Sequence, residues 1–242
     1  IFQFIDIFLN YLYTLLLQRR GMLRKAKINR KTKETNIIVE VNLDGKGSSW
    51  ETLTITSTAG AIKSMCLGDL NNDGTLDIVA ADDSLDRIFY MQNNFVSNNS
   101  WQSVSIYLYE NPKNPTSVFC HDMDNDNDID VVSTSQNSST INWHENVAGD
   151  GSQWETHEIS NSVASVNKIF VSDLDNDSYY DIVSISPASS TINFHRNVEG
   201  DGKTWESTII YENINTPTDL FLIDLDSDGD DDILTGSNQP NS

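Results

Sequence analysis

A nine-residue acidic motif that occurs four times is the feature that most restricts how this chain can fold. The four copies, numbered loop one to loop four, cover residues 69–77, 122–130, 173–181 and 224–232. Each copy has Asp or Asn at positions 1, 3, 5 and 9, and two apolar residues follow directly. Carboxylates held this close in a tight turn repel one another unless a cation that prefers oxygen ligands lies among them. The motif therefore predicts a metal-binding turn repeated along the chain.

Two other residues recur with the same period as the acidic motif. The acidic loops begin 53, 51 and 51 residues apart, and a Trp recurs with spacings of 51, 53 and 51. An Asn lies eight residues before every one of these Trp residues. The pairs are Asn42 and Trp50, Asn93 and Trp101, Asn146 and Trp154, and Asn197 and Trp205. A period near 50 residues is typical of propeller blades.

Each repeat contains four short runs that are typical of β-strands. In the third copy these runs cover residues 163–171, 181–186, 191–197 and 205–210. They are rich in β-branched and aromatic residues, and Gly, Asn, Asp and Ser separate them. No helical periodicity occurs after residue 36. We therefore expect an all-β chain of four-stranded blades, in which the periodic Trp residues pack between neighbouring copies.

The register of the repeat sets the predicted domain boundaries. The repeated part opens with a half blade at residues 36–60 and closes with a half blade at residues 214–236. Three whole blades lie between them, at residues 61–111, 112–162 and 163–213. The two halves add up to a fourth blade of about 51 residues. Either they pair and close a four-bladed ring, or the chain is an open arc of a larger propeller, and we favour the arc.

The combined pattern D-x-[DN]-x-D-[GNS]-x-x-D-[IV]-[VL], INWHEN-like segment and W-x-x-x-x-I frame resembles the FG-GAP/VCBS repeat family. The resemblance covers about residues 36–236. It implies integrin-α-like propeller blades, usually seven to a ring, that bind Ca²⁺ in the hairpin between the first two strands. The Phe-Gly and Gly-Ala-Pro segments that name the family have no clear counterpart, and Ala59-Gly60-Ala61 comes nearest. The chain is therefore closer to the VCBS-like branch, and integrin-type ligand binding does not follow.

Calcium is the predicted cofactor, with up to four ions, because Mg²⁺ prefers few protein ligands and keeps its water. Positions 1, 3, 5 and 9 supply side-chain oxygens, and position 7 supplies a backbone carbonyl. The predicted ligands are Asp69, Asn71, Asp73, Thr75 and Asp77; Asp122, Asp124, Asp126, Asp128 and Asp130; Asp173, Asp175, Asp177, Tyr179 and Asp181; and Asp224, Asp226, Asp228, Asp230 and Asp232. These positions parallel an EF-hand loop that lacks the flanking helices.

Position 6 of the motif has to turn sharply, often with a positive φ. Gly74 and Gly229 suit this conformation, Asn127 tolerates it, and Ser178 suits it least. We therefore expect loops one and four to be the best formed and loop three to be the weakest.

The charge distribution separates an N-terminal leader from the repeats. Residues 1–17 are mostly apolar, and residues 1–35 carry a net charge of +6, from eight Lys and Arg against two acidic residues. The remaining residues carry −27, which argues against nucleic acid as a partner. The leader, a helix-like segment outside the propeller, is either a membrane-associated anchor or a segment foreign to the fold.

The two cysteines and the histidines are expected to have no special chemistry. Cys66 lies three residues before loop one, whereas Cys120 lies two residues before loop two. Strand alternation then points them to opposite faces, so we expect buried free thiols and no mutual disulfide. His144 and His195 share one repeat position and are expected on strand surfaces.

The sequence favours a binding module over an enzyme. It contains no G-x-S-x-G segment, no P-loop and no acid–base pair outside the acidic loops. We expect an extracellular or surface module for protein or glycan binding and adhesion, with possible glycosylation at Asn98 and Asn137. The alternatives are a propeller-type polysaccharide lyase or hydrolase fragment, and a structural spacer in a larger surface protein.

Overall fold

The computed structural model describes residues 37–38, 54–56, 59–94, 100–104 and 113–238. The predicted leader at residues 1–35 lies outside the described residues. The described residues up to Ala59 belong to one unit, and those from Gly60 onward belong to another. In the described residues no helix is long and apolar enough to cross a membrane.

The described part of the chain is built from antiparallel strands, with one 3₁₀ turn at Asp83–Leu85. The strands are β1 (Ile37–Ile38), β2 (Thr54–Thr56), β3 (Ile62–Gly68), β4 (Asp77–Asp82), β5 (Arg87–Asn94), β6 (Ser100–Val104), β7 (Pro115–His121), β8 (Asp130–Ser135), β9 (Thr140–Glu145), β10 (Glu155–Ser160), β11 (Lys168–Ser172), β12 (Asp181–Ser186), β13 (Thr191–Asn197), β14 (Trp205–Glu212), β15 (Pro217–Ile223) and β16 (Asp232–Ser237).

Three of the sheets are four-stranded meanders, and we call them blades one, two and three. They consist of β3–β6, β7–β10 and β11–β14, and within each the strands pair in sequence order. The pairs β1–β2 and β15–β16 form two-stranded sheets. The prediction of an all-β fold of repeated antiparallel sheets is therefore confirmed.

Of the four strands predicted in blade three, two have the predicted bounds, the fourth runs two residues further, to Glu212, and the first begins later than predicted. Strands β12 and β13 begin and end where the sequence predicts, at residues 181–186 and 191–197. The first strand begins at Lys168 and not at Val163. Ser165 has a φ of +52°, and Val166 donates its N–H to the carbonyl of Val163 at 3.3 Å. Val163 and Val166 are buried in this turn, so their apolar character reflects packing and not a strand.

The sheets stack face to face. Val79 of blade one lies in one apolar cluster with Val118 and Val131 of blade two. Val132, on the other face of blade two, lies in a cluster with residues of β11 and β12. The innermost strands β3, β7, β11 and β15 run side by side. Since burying one such side chain contributes roughly 1.5–3 kcal/mol, these interfaces hold the blades together.

Cys66 and Cys120 form a disulfide, which corrects the prediction of free thiols. Their Cα atoms are 5.7 Å apart, within the normal range for a disulfide. The two residues do point to opposite faces of their strands, as strand alternation requires. However, blades one and two stack face to face, so opposite faces of neighbouring blades meet. Both sulfurs therefore lie in the interface of blades one and two.

The middle strands of the blades are buried on both faces, and this corrects the placement of the histidines. His144 and His195 are fully buried and not on a strand surface. His195 Nε2 lies 2.9 Å from Ser184 Oγ, and Nδ1 lies 2.7 Å from Ser207 Oγ, so the ring joins three strands. Burial lowers the pKa of His195 to about 4, so the ring is neutral at pH 7.

The periodic Trp residues pack between blades, as predicted. Trp154 packs against the cluster of blades one and two, and its ring lies 6.5 Å from that of Tyr90. Trp205 packs against the cluster of blades two and three. The side chains of Trp50 and Trp101 lie outside the described residues.

Candidate metal sites

Each acidic loop connects the first two strands of its sheet. Loop one joins β3 to β4, loop two β7 to β8, loop three β11 to β12 and loop four β15 to β16. Position 6 has a positive φ in every loop, as predicted: Gly74 +84°, Asn127 +74°, Ser178 +73° and Gly229 +101°. Position 4 also has a positive φ, which the sequence analysis missed: Asn72 +53°, Asn125 +63°, Asn176 +58° and Ser227 +65°. Two left-handed residues fold each loop into a compact turn.

The carboxylate at position 1 organises the turn. In loop one, Asp69 Oδ1 accepts the N–H of Asp73 at 3.0 Å, and Oδ2 accepts the N–H of Gly74 at 2.8 Å. The same two bonds occur in loops two, three and four. The position 7 residue donates its N–H to Oδ1 of position 5 in all four loops, at 2.8–3.0 Å. Backbone donors therefore hold the carboxylates of positions 1 and 5 in place.

The carboxylates of positions 1, 3 and 9 converge in three loops. In loops two, three and four they each offer an oxygen atom, and these atoms lie within 4.8 Å of one another. In loop one, the amide of Asn71 replaces the carboxylate at position 3, and its Nδ2 donates to Asp73 Oδ2 at 3.1 Å. Clustered oxygen donors of this kind match the ligand preference of Ca²⁺.

The carboxylate at position 9 is buried at the base of the loop in the three complete blades. Asp130 Oδ2 accepts the N–H of Met123 at 3.1 Å, and Oδ1 accepts the N–H of Asn146 at 2.8 Å. Asp77 and Asp181 are held by the same two bonds. Burial raises the pKa of Asp130 to about 7 and the pKa of Asp77 and of Asp181 to about 6, despite the hydrogen bonds. A nearby cation would favour the ionised form of all three groups.

Loop two contains a buried oxygen that has no partner within the described chain. Asp124 Oδ1 is inaccessible to solvent and receives no hydrogen bond. Burial, followed by the charges of Asp126 and Glu145, raises the pKa of Asp124 to about 6. A buried carboxylate oxygen without a donor is costly, and a coordinated cation removes that cost. The residues of this loop therefore fit a Ca²⁺ ion.

Loops in neighbouring blades contact each other. Asn72, at position 4 of loop one, donates to Asp128 Oδ1 of loop two at 2.7 Å and to the carbonyl of Gly149 at 2.8 Å. Asn176 of loop three donates in the same way to Asp230 Oδ1 of loop four at 2.7 Å. In loops two and four the side chain at position 7 therefore faces the preceding blade.

The periodic Asn forms an interblade bridge, a role that sequence reasoning did not assign. Asn146 Nδ2 donates to the carbonyl of Leu70 in loop one at 2.9 Å, while its Oδ1 accepts the N–H of Gly151 at 3.0 Å. Trp154 Nε1 donates to the carbonyl of the same Gly151 at 2.9 Å. A Cβ at Gly151 would lie 2.9 Å from the hydroxyl of Tyr90, so only glycine fits.

Blade three repeats this bridge with Asn197, Gly202 and Trp205, and Asn197 Nδ2 reaches the carbonyl of Met123 in loop two at 3.0 Å. Position 2 of one acidic loop is thus bound to the Asn–Gly–Trp set of the following blade. The backbone N–H of Asn197 also donates to Asp181, the position 9 carboxylate of loop three. The bridge therefore connects successive acidic loops.

Arg196 is a further residue of loop three that the sequence analysis missed. Its Nη2 donates to Asp177 Oδ2 at 2.9 Å, and its Nε forms an ion pair with Asp175 Oδ2 at 2.5 Å. The guanidinium therefore contacts positions 3 and 5 of the loop. No sequence motif indicates this contact, because Arg196 lies on β13 and reaches the loop only after the strands pair.

Stacked four-stranded antiparallel sheets, each with an acidic turn between its first two strands, define a propeller-type repeat protein. Residues 69–133, 122–184 and 173–235 each match the model of the FG-GAP-like repeat family. Every match begins at one acidic loop and ends just past the next, and together they span residues 69–235 of 242. The chain belongs to the FG-GAP-like repeat family.

Solved structures with a similar arrangement of strands share little sequence with the chain. Two are virginiamycin B lyase structures from Staphylococcus aureus, one a catalytically inactive variant with quinupristin and one selenomethionine-substituted. They are 14% and 12% identical, cover 82% and 83% of this chain, and have TM-scores of 0.48 and 0.49. The V. cholerae biofilm matrix protein Bap1 is 16% identical over 79% of this chain, with a TM-score of 0.39. The chain spans 59% and 60% of the two lyase chains and 28% of Bap1, and no curated protein matches it significantly.

Proposed function

We propose that the chain is a calcium-binding repeat module in which Ca²⁺ is structural and the acidic loops hold up to four ions. The observation that carries this proposal is the convergence of oxygen atoms from positions 1, 3 and 9 within 4.8 Å in loops two, three and four. The orphaned Asp124 Oδ1 supports it. Loop one has the same fold of the turn with one carboxylate fewer, and it is proposed as a site of lower charge.

The role of the ions follows from where the loops lie. Position 2 of loops one and two is bonded to the interblade bridge of the next blade. Fixing the loop therefore also fixes a contact between blades. Calcium bound in this way stabilises the stacking of sheets that have no large individual core.

Thermal unfolding with and without calcium tests the proposal. A ligand that binds only the folded state at about 100 times its Kd stabilises by about 2.7 kcal/mol per site. We expect the Tm to fall by several degrees when EDTA replaces Ca²⁺, and Mg²⁺ to restore little of the loss. The variant Asp224→Ala should lower the Tm in Ca²⁺ more than Asp173→Ala does, because loop four has Gly229 at position 6. Identical melting curves in Ca²⁺ and in EDTA would disprove calcium binding.

Apolar side chains that are exposed on the last sheet, β15–β16, support an open arc of a larger propeller. In this proposal the chain supplies four blades of about 51 residues each. Leu225 is 61% exposed, although Leu70 and Met123 at the same repeat position are fully buried. Leu234 is 52% exposed, although its counterpart Val79 is fully buried. The proposed occupant of this face is a further FG-GAP-like blade. Amide hydrogen exchange separates the alternatives: rapid exchange along β16 supports an arc, and protection supports a closed ring.

The proposed biological role is protein or glycan binding outside the cell, as in adhesion. The disulfide between Cys66 and Cys120 supports this location, since such bonds persist in oxidising compartments. The net charge of −21 argues against nucleic acid. Binding of the calcium-loaded chain to glycan and surface-protein arrays tests this role, and a chain that is retained in the cytosol with both thiols reduced would refute it.

A further inference from the structure

One strand position carries a different charge in each blade and lies beside the acidic loop. This position directly precedes the periodic Asn (Asn93, Asn146 or Asn197), and it is occupied by Gln92 in blade one, Glu145 in blade two and Arg196 in blade three. The N–H of the periodic Asn donates to the position 9 carboxylate of the loop, so the preceding residue is held close to the loop as well. The charge at this position therefore acts on the metal ligands.

In blade three the residue is a cation that contacts the ligands directly. The two contacts of Arg196, to Asp175 at 2.5 Å and to Asp177 at 2.9 Å, engage one oxygen of position 3 and one of position 5. The Arg196 side chain is 38% exposed, and the two carboxylates are 30% and 22% exposed. A guanidinium can thus supply in loop three the positive charge that a metal ion supplies elsewhere.

In blade two the residue is an anion on the same side of the sheet. The negative charge of Glu145 helps to raise the pKa of Asp124 in loop two, and Glu145 Oε2 lies 2.7 Å from His157 Nε2. Loop two therefore faces an added negative charge where loop three faces a positive one. In loop one, Gln92 leaves the charge of the loop unchanged.

We propose that Arg196 is an internal cation of loop three, which makes this loop independent of calcium, while loops one and two, which have Gln92 and Glu145 at this position, require it. This inference rests on the proposed calcium function. Arg196 competes with Ca²⁺ for the oxygens of positions 3 and 5. The residue before the periodic Asn thereby sets which blades respond to calcium and which stay folded without it.

The variant Arg196→Gln tests the inference, because it gives loop three the residue that blade one has at Gln92. Bound Ca²⁺ is counted by native mass spectrometry, and affinities are measured by titration calorimetry on the full chain. We expect Arg196→Gln to bind one more ion than the natural chain, or to bind one ion at least tenfold more tightly. Adding Asp177→Asn to this variant should abolish the gain, which assigns the added ion to loop three.

Thermal unfolding gives a second and independent measurement. Arg196→Gln should lower the Tm in EDTA, because the carboxylates of loop three lose their partner, and Ca²⁺ should restore most of that loss. The control is Arg87→Gln, which removes an ion pair to Asp82 at 3.3 Å outside the acidic loops. It should lower the Tm equally in EDTA and in Ca²⁺.

The outcomes separate this inference from the proposed function. If the natural chain binds calcium, but Arg196→Gln leaves the number and affinity of the ions unchanged, the inference is overturned and the calcium function stands. If Arg196→Gln, like Arg87→Gln, lowers the Tm by the same amount in EDTA and in Ca²⁺, Arg196 forms only an ordinary surface ion pair and the inference is again overturned. If neither the natural chain nor Arg196→Gln binds calcium, the proposed function itself fails.

Discussion

Ser178 adopts a left-handed backbone conformation, with a φ of +73°, at the turn position where loops one and four have glycine. Residue type alone predicts this strain, because a side chain at such a position is unfavourable. The positive φ at position 4 was not predicted, since Asn and Ser at that position are compatible with several turn conformations. Residue types thus indicate a positive φ clearly only at a repeat position that is glycine in some copies and a residue that disfavours a positive φ in others.

Replacing Ser178 by Gly should stabilise the chain by about 1 kcal/mol, because the strain of the left-handed conformation is relieved. The matched control is Gly74→Ser, which puts the same side chain at position 6 of loop one, where nothing lies within 4 Å of an added Cβ. It should destabilise by a similar amount. Urea unfolding in EDTA measures both changes, and equal shifts in the same direction would contradict the assignment of strain to φ.

Calcium affinity should fall as the pH is lowered from 7.5 to 5.5. The raised pKa values of Asp130 (about 7), Asp124 and Asp77 (both about 6) mean that these groups of loops one and two take up protons in this interval when no metal is bound. For each carboxyl group that must lose a proton to bind the metal, the calcium affinity falls about tenfold for every pH unit below the pKa of that group. Loop two has two such groups, so its calcium affinity should decline more steeply than that of loop one. Calorimetry in buffers of different ionisation enthalpy counts the protons released.

The stability of the metal-free chain should change with pH in the opposite direction. A folded-state pKa above the unfolded value means that the folded state binds more protons, so these carboxyl groups stabilise at low pH and lose that stabilisation as the pH rises through 6 to 7. Burial lowers the pKa of His195, to about 4, and of His121, and these two groups oppose the change below pH 6.5, but they are fewer than the carboxyl groups with raised pKa values. We expect the Tm in EDTA to rise as the pH is lowered from 7.5 to 5.5. A lower Tm at pH 5.5 would contradict the burial of the position 9 carboxylates.

Among the structural elements, the interblade bridge shows what periodicity can and cannot reveal. The spacing of Asn146 and Asn197 from the following Trp was visible in the sequence. Their hydrogen-bond partners Leu70 and Met123 lie 76 and 74 residues away, and no local pattern identifies such partners. Arg196 is a similar case, because its partners are brought near only by the pairing of β12 with β13.

Replacing Asn146 by Ala should destabilise the chain by about 2–4 kcal/mol, because the carbonyl of Leu70 and the N–H of Gly151 lose their partners while buried. The control is Asn142→Ala on the neighbouring strand β9, since the Asn142 side chain is also buried but donates locally to Thr140 at 3.3 Å. That change should cost about 1 kcal/mol. Equal losses from the two variants in urea unfolding would show that the contact between blades contributes nothing.

At the scale of the whole molecule, the repeat predicted the sheets correctly but not the consequences of stacking them. The alternation of side chains along a strand placed Cys66 and Cys120 on opposite faces, and this placement is right. The inference that they stay apart was wrong, because each blade presents one face to the preceding blade and the other to the following one. The same reasoning explains why His144 and His195 are buried: a middle strand in a stack has no solvent face.

The disulfide joins blades one and two across 54 residues, so it restricts the unfolded chain strongly. A closed loop of that length is expected to contribute about 4 kcal/mol in the chain-entropy description. Changing Cys66 to Ser, Cys120 to Ser, or both should therefore cost the same amount, because either single change already removes the bond. Urea unfolding of the three variants under non-reducing conditions measures this equality, and with dithiothreitol the natural chain should match them. If the double variant loses the sum of the two single losses, the cysteines act as separate buried side chains and blades one and two are held together by apolar packing alone.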